Sequence, residues 1–217
     1  MSTQVAEKPR LRGVLHQFAA PGALGAGLVL ISMAPTARAA TAAALYALSL
    51  VVLFTVSATY HRVTWSERGR VWMRRMDHAS IFLLIAGTYT PVALLGISGA
   101  AGDKLLLAIW SGALVGVLQS LFWVGAPKVL TAALAVGVGW TLVPYHAEAR
   151  AALSDADLWL ILGGGAAYTA GAIAYALKRP DFKPGVFGYH ELFHALTLVG
   201  AGLHFAVVLR LVRSATA

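Results

Sequence analysis

Five polar residues in an otherwise apolar chain have the types and spacing of a metal-dependent reaction centre. His190 and His194 stand four apart in the run Tyr189-His190-Glu191-Leu192-Phe193-His194, so on a helix they share one face, about 6 Å apart along the axis. His61 closes the run Ser57-Ala58-Thr59-Tyr60-His61, and Ser57 and His61 share a face by the same geometry. Asp77 opens Asp77-His78-Ala79-Ser80, with His78 pointing about 100° away from it on a helix. Two histidines at i,i+4 with a third from a neighbouring helix make the ligand set of an open zinc site, whose fourth position is left for water. Three neutral imidazoles leave the ion's double charge uncompensated in a low-dielectric setting, which favours a nearby carboxylate such as Asp77. Ser57 is placed to hydrogen-bond the same water. The chain has no cysteine, so His, Asp and Glu are the only strong metal ligands it can offer.

The elements that carry these residues follow from composition. Of 217 residues 59% are hydrophobic and 12% charged, against roughly 45–50% and 25% in soluble domains. That excludes an ordinary soluble enzyme, which would need more polar surface, and disorder, which would need less apolar content. At about 20 residues per membrane-crossing helix, seven spans fit, and the apolar runs place them near 14–34, 41–61, 77–97, 104–125, 127–145, 157–177 and 187–209. The runs lack period-two alternation and are rich in Ala, Leu and Gly, which suits closely packed helices and argues against a barrel. The first run is followed by more of its kind, unlike a removable signal peptide. The expected architecture is all-α and polytopic: a segment over 1–13, one seven-helix domain over 14–209 and a tail over 210–217. Pro21 and Pro91 fall inside spans, where kinks are tolerated.

Orientation follows from the basic residues. With the N-terminus in the cytoplasm, twelve of the 17 Lys and Arg, from Lys8 to Lys183, face that side. The positive-inside rule therefore puts the N-terminus inside and the C-terminus outside. Ser57 and His61 then end the second span, Asp77 opens the third and His190 opens the seventh, all at one cytoplasmic depth. Trp65, Trp72, Trp123 and Trp159 fall near span ends, as an interfacial aromatic belt requires. The formal charge of +8 is a topology signal, since no basic domain outside the membrane is large enough to bind nucleic acid. His16 and His146 read as interface and loop residues, and His204 as a packed, hydrogen-bonded one.

The seventh span also holds a literal H-E-x-x-H, the zincin signature, in which Glu191 would be the general base of a membrane-embedded peptidase. The spacing to His204 does not match the metzincin extension. Glu191 reads more simply as a first-turn acid near the helix dipole.

Ser57-x-x-x-His61, Asp77 opening a span that runs through Gly87-Thr88-Tyr89-Thr90-Pro91, and His190-x-x-x-His194 together make a chain that resembles the hemolysin III family of bacterial membrane proteins, related to the progestin and adiponectin receptor superfamily. The resemblance covers nearly the whole chain. It implies zinc bound by His61, His190 and His194, with Asp77 and Ser57 close to the metal water. It also implies a bacterial inner-membrane location. Only about 13 residues precede the first span, which sets the chain apart from the receptor branch. Receptor relatives, and more distant alkaline ceramidases with a similar Ser, Asp and His pattern, point to zinc-dependent hydrolysis of a lipid amide.

Two classes of function are open at this point. In a hydrolase, zinc activates water against an amide or ester of a membrane lipid, Asp77 moves the proton and Ser57 helps fix the water or the oxyanion. In a non-enzymatic cytolytic, sensing or membrane-homeostasis protein, the same zinc is structural and staples the second and seventh spans.

Overall fold

The computed structural model describes residues 9–97 and 99–216; Lys8 and most of the 1–13 segment lie outside the described residues. Eight α-helices follow one another: α1 Val14–Ser32, α2 Ala37–Arg62, α3 Glu67–Pro91, α4 Gly99–Phe122, α5 Lys128–Gly139, α6 His146–Ala152, α7 Asp155–Leu177 and α8 Tyr189–Ser214. Among the described residues there is no named strand, only one bridge between Lys183 and Phe187. Seven helical segments are long and apolar enough to cross a membrane, α5 and α6 together counting as one.

The helices begin where side chains can satisfy the first free amides. Thr36 accepts from the Ala39 amide at 3.1 Å, Ser66 from Gly69 at 3.2 Å and Ser154 from Asp157 at 3.2 Å. The Ser66 cap corrects the expected third span: α3 starts at Glu67, ten residues before Asp77. Its first turns are rich in Arg, which hides them from a hydropathy reading. Asp77 therefore lies nearly three turns inside a helix rather than at its start.

The fifth span also departs from the expectation of one helix over 127–145. It stops at Gly139, passes through a 3-10 turn at Val143–Tyr145 and restarts as α6. Tyr89 on α3 repairs the break: its hydroxyl donates to the Gly139 carbonyl at 2.6 Å and accepts from the Leu142 amide at 3.2 Å. Such repair is what allows a helix to break at membrane depth. After Pro91, α3 continues as a π-helical turn, Val92–Ile97, and Arg38 Nε donates to the Leu94 carbonyl there at 3.0 Å.

The bundle is assembled by neighbours in sequence, α1 on α2, α2 on α3, α3 on α4 and α7 on α8, with α8 also touching α1, α2 and α3. One apolar core, including Leu30, Tyr46, Phe54, Leu84 and Val208, joins α1, α2, α3 and α8. A second, including Tyr89, Ile109, Val138 and Val207, joins α3, α4, α5 and α8. Small residues set the closest approaches: a Cβ at Gly116 on α4 would run into the Phe82 ring of α3. Large apolar side chains such as Phe18, Leu107, Phe122 and Trp159 are exposed, as expected where lipid tails, not water, are the surroundings. Trp72 and Trp123 are exposed as well.

Candidate metal centre

His61 ends α2 and His190 and His194 occupy the first two turns of α8. All three are buried, and one ring nitrogen from each lies within 4.8 Å of the others. His61 Nε2 and His190 Nε2 are 3.2 Å apart. Ligands of a tetrahedral zinc at about 2.0–2.1 Å lie roughly 3.3 Å from one another, so this pair already stands at ligand spacing and the third needs only a small rotation. The donor set therefore fits a divalent ion. Ser57, one turn back from His61, lines the same cavity as Asp77, close enough for its hydroxyl to favour the charged carboxylate. The fold brings the three histidines together and places Ser57 and Asp77 in the walls of the space beside them.

A strap of backbone holds the cluster from outside. The segment before α1 pairs with the loop before α8, Arg10 N to Gly185 O at 2.9 Å and Leu11 N to Val186 O at 3.3 Å. Gly13 then takes φ of 79° directly against His61, where a Cβ would collide with that of the histidine; only glycine meets both demands. Next comes His16, which corrects its reading as an interface residue: it is buried, and its ring stacks on that of His194 with centroids 3.9 Å apart. A lone histidine near a span start carried no spacing signal. Its place follows only from α1 crossing α8.

Glu191 is 1% exposed. One carboxylate oxygen pairs with the Arg12 guanidinium and the other accepts from the Gly188 amide at 2.9 Å. It caps α8 and ties it to the strap, each oxygen held by a donor of the protein itself, an arrangement that suits a structural acid better than the base of a zincin. Glu191→Gln is expected to keep the cap, remove the ion pair with Arg12 and cost about 3 kcal/mol, with turnover per folded molecule unchanged. Thermal unfolding beside a rate measurement checks this, and lost turnover at full stability would restore the peptidase reading. His204 is packed as expected, its Nε2 3.1 Å from the Ile161 carbonyl.

Among the described residues, cavities run along the bundle. At the histidine end a vestibule of about 660 Å³ is lined by His61, His190, Asp77 and His78. Below it an apolar cavity of about 110 Å³ touches Ser57, Asp77, His16 and His194. A third, of about 610 Å³ toward the other end, shares Thr88, Tyr89, Trp140 and His204 with the second. Asp77 lines both of the first two, so it stands where polar and apolar space meet.

Comparison with known proteins gives one consistent family. A family profile described as "Haemolysin-III related" matches residues 4–205. The chain is 28% identical to "Hemolysin-3" of Bacillus cereus over 95% of its own length and 93% of the relative's. It is 31% identical to "Hemolysin-3 homolog" of Bacillus subtilis, covering 76% and 74%. A plant protein, "Heptahelical transmembrane protein ADIPOR2" of rice, is 30% identical over 70% of this chain and 74% of that one.

Proposed function

Because this chain belongs to the Haemolysin-III related family of integral membrane proteins, and joins three histidines from two spans, we propose that it is a zinc-dependent hydrolase of an acyl amide or ester in a membrane lipid. The observation that carries the reading is the position of Asp77. It stands beside Ser57 and the histidines, on the wall between a polar vestibule and an apolar cavity. A substrate with a polar head and an acyl chain meets both spaces at once, with its scissile carbonyl at the carboxylate.

His61, His190 and His194 would hold the ion. When bound, zinc supplies Lewis acidity to a carbonyl and a water of lowered pKa. Asp77 takes a proton from the attacking water and returns it to the leaving amine or alcohol, as a general base and then acid. Ser57, beside Asp77, fixes the orientation of that carboxylate and donates toward developing negative charge. The apolar cavity excludes bulk water from this exchange. The basic excess at the histidine end supports a reaction at the cytoplasmic face, by the positive-inside rule.

The Bacillus relatives carry a name that speaks of haemolysis, and the second reading takes that up: a cytolytic, sensing or homeostatic protein with a structural zinc. His16 lying flat on His194 favours it, since a closed packing around a ligand suits a staple. The deciding experiment is metal analysis of the purified full chain in nanodiscs, followed by incubation with ceramide-like, acyl-amide and ester lipids. The expected result is one zinc per chain and hydrolysis that a chelator stops and added zinc restores. Stoichiometric zinc with no hydrolysis of any substrate favours the second reading. Absence of metal after gentle purification defeats both.

A further inference from the structure

Four cationic side chains line the vestibule, and they come from three separate parts of the fold: Arg12 before α1, Arg70 and Arg74 on α3, and Lys128 at the start of α5. Arg12 is paired with Glu191. Among the described residues Arg70, Arg74 and Lys128 form no ion pair within 4 Å. Lys128 feels the like charges of Lys178, outside the vestibule, and of Arg74 and Arg12 within it, while its ammonium stands 4.4 Å over the Tyr175 ring. Two carboxyl groups, Glu67 and Asp77, share the lining, so four cations face two acids, and that excess of positive charge around one cavity favours an anion.

Basic residues at a membrane surface commonly do no more than set topology. Here they are sorted. Arg62, Arg68 and Arg75 belong to the same stretch of chain but do not line the vestibule. Arg70, Arg74 and Asp77 follow one another at helical spacing and do. The same stripe of α3 continues through Asp77, Ile81, Leu84 and Thr88 along the apolar cavity, at the spacing of one helix face. One helix face thus reads cation, cation, carboxylate, then apolar. At 1.5 Å per residue, Arg74 and Asp77 are about 4.5 Å apart along the axis, a separation of a few covalent bonds.

We propose that the vestibule binds the phosphate of a phospholipid headgroup through Arg70, Arg74 and Lys128, with the acyl chain passing Asp77 into the apolar cavity. Guanidinium and phosphate match in charge and in fork geometry. The apolar continuation along α3 selects a phosphate carried by a lipid over a free one. The binding stands by itself; that this lipid is the substrate rests on the hydrolase reading above, and narrows its substrate class to acyl lipids bearing a phosphate near the carbonyl.

The test is equilibrium binding of lysophosphatidic acid and of a monoacylglycerol with the same chain to the purified full-length protein, in neutral detergent, zinc-loaded and chelated. The phosphate-bearing lipid is expected to bind at least tenfold more tightly, and millimolar inorganic phosphate is expected not to displace it. Arg74→Gln and Lys128→Gln are each expected to weaken that lipid about tenfold, leaving the neutral lipid and the thermal midpoint unchanged. They lie on different helices, so a folding defect in one leaves the other to decide. Arg68→Gln, outside the vestibule, is the control. Equal affinity for the two lipids, displacement by inorganic phosphate, or full affinity in both variants overturns the proposal. Tight, charge-dependent binding without hydrolysis of the bound lipid removes that lipid as the substrate and leaves the binding site standing.

Discussion

Asp77→Asn is expected to hold zinc at the parent's stoichiometry and to lose about 10²- to 10⁴-fold in turnover, the range carried by a positioned general acid–base group. Asparagine has the same shape and can still accept from Ser57, so the wall between vestibule and cavity keeps its form. What it lacks is a site for the proton. The three nitrogens that would hold the ion come from His61, His190 and His194, none of which is altered. Metal content beside the rate on the best substrate therefore separates the two roles. Unchanged turnover in a zinc-replete Asp77→Asn variant would remove the carboxylate from the chemistry and return the centre to a staple.

The other large effect is expected of His190→Ala/His194→Ala, which removes two of three ligands from one face of α8. Zinc should fall from one per chain to none. Stability should fall too, because an ion that binds only the folded chain contributes about 4 kcal/mol when free zinc is a thousandfold above Kd. A chelator should lower the parent's thermal midpoint and leave the double variant's where it is. Two buried imidazoles are also lost, so the variant is expected to lie below the chelated parent. A chelator effect as large in the variant as in the parent would show that zinc acts elsewhere.

Much of this was legible because the chain is poor in polar groups. In so apolar a sequence the pairs Ser57/His61 and His190/His194 have few competitors, and hydropathy marks the spans that carry them. What failed to show was of three physical kinds. The first turns of α3 are helical by capping and amphipathic charge, so a hydropathy scan began that span at Asp77. The break after Gly139 is held open by a hydroxyl 50 residues away on Tyr89, and no local pattern announces such a partner. The strap depends on pairings between the two ends of the chain, Arg12 with Glu191 and His16 with His194. Gly13 could have been noticed as a turn signal before a helix, though not as the gap that His61 fills.

The wide separation in sequence of the paired histidines has a consequence for biosynthesis. His61 and His190 are 129 residues apart, and at about 5–20 residues per second the ribosome takes roughly 6 to 26 s to travel from one to the other. Through that interval the second and third spans carry His61 and Asp77 without the last helix that completes their surroundings. The centre can close only when the final span arrives, so a chain stalled before α8 would leave His61 and Asp77 without the residues that complete their surroundings.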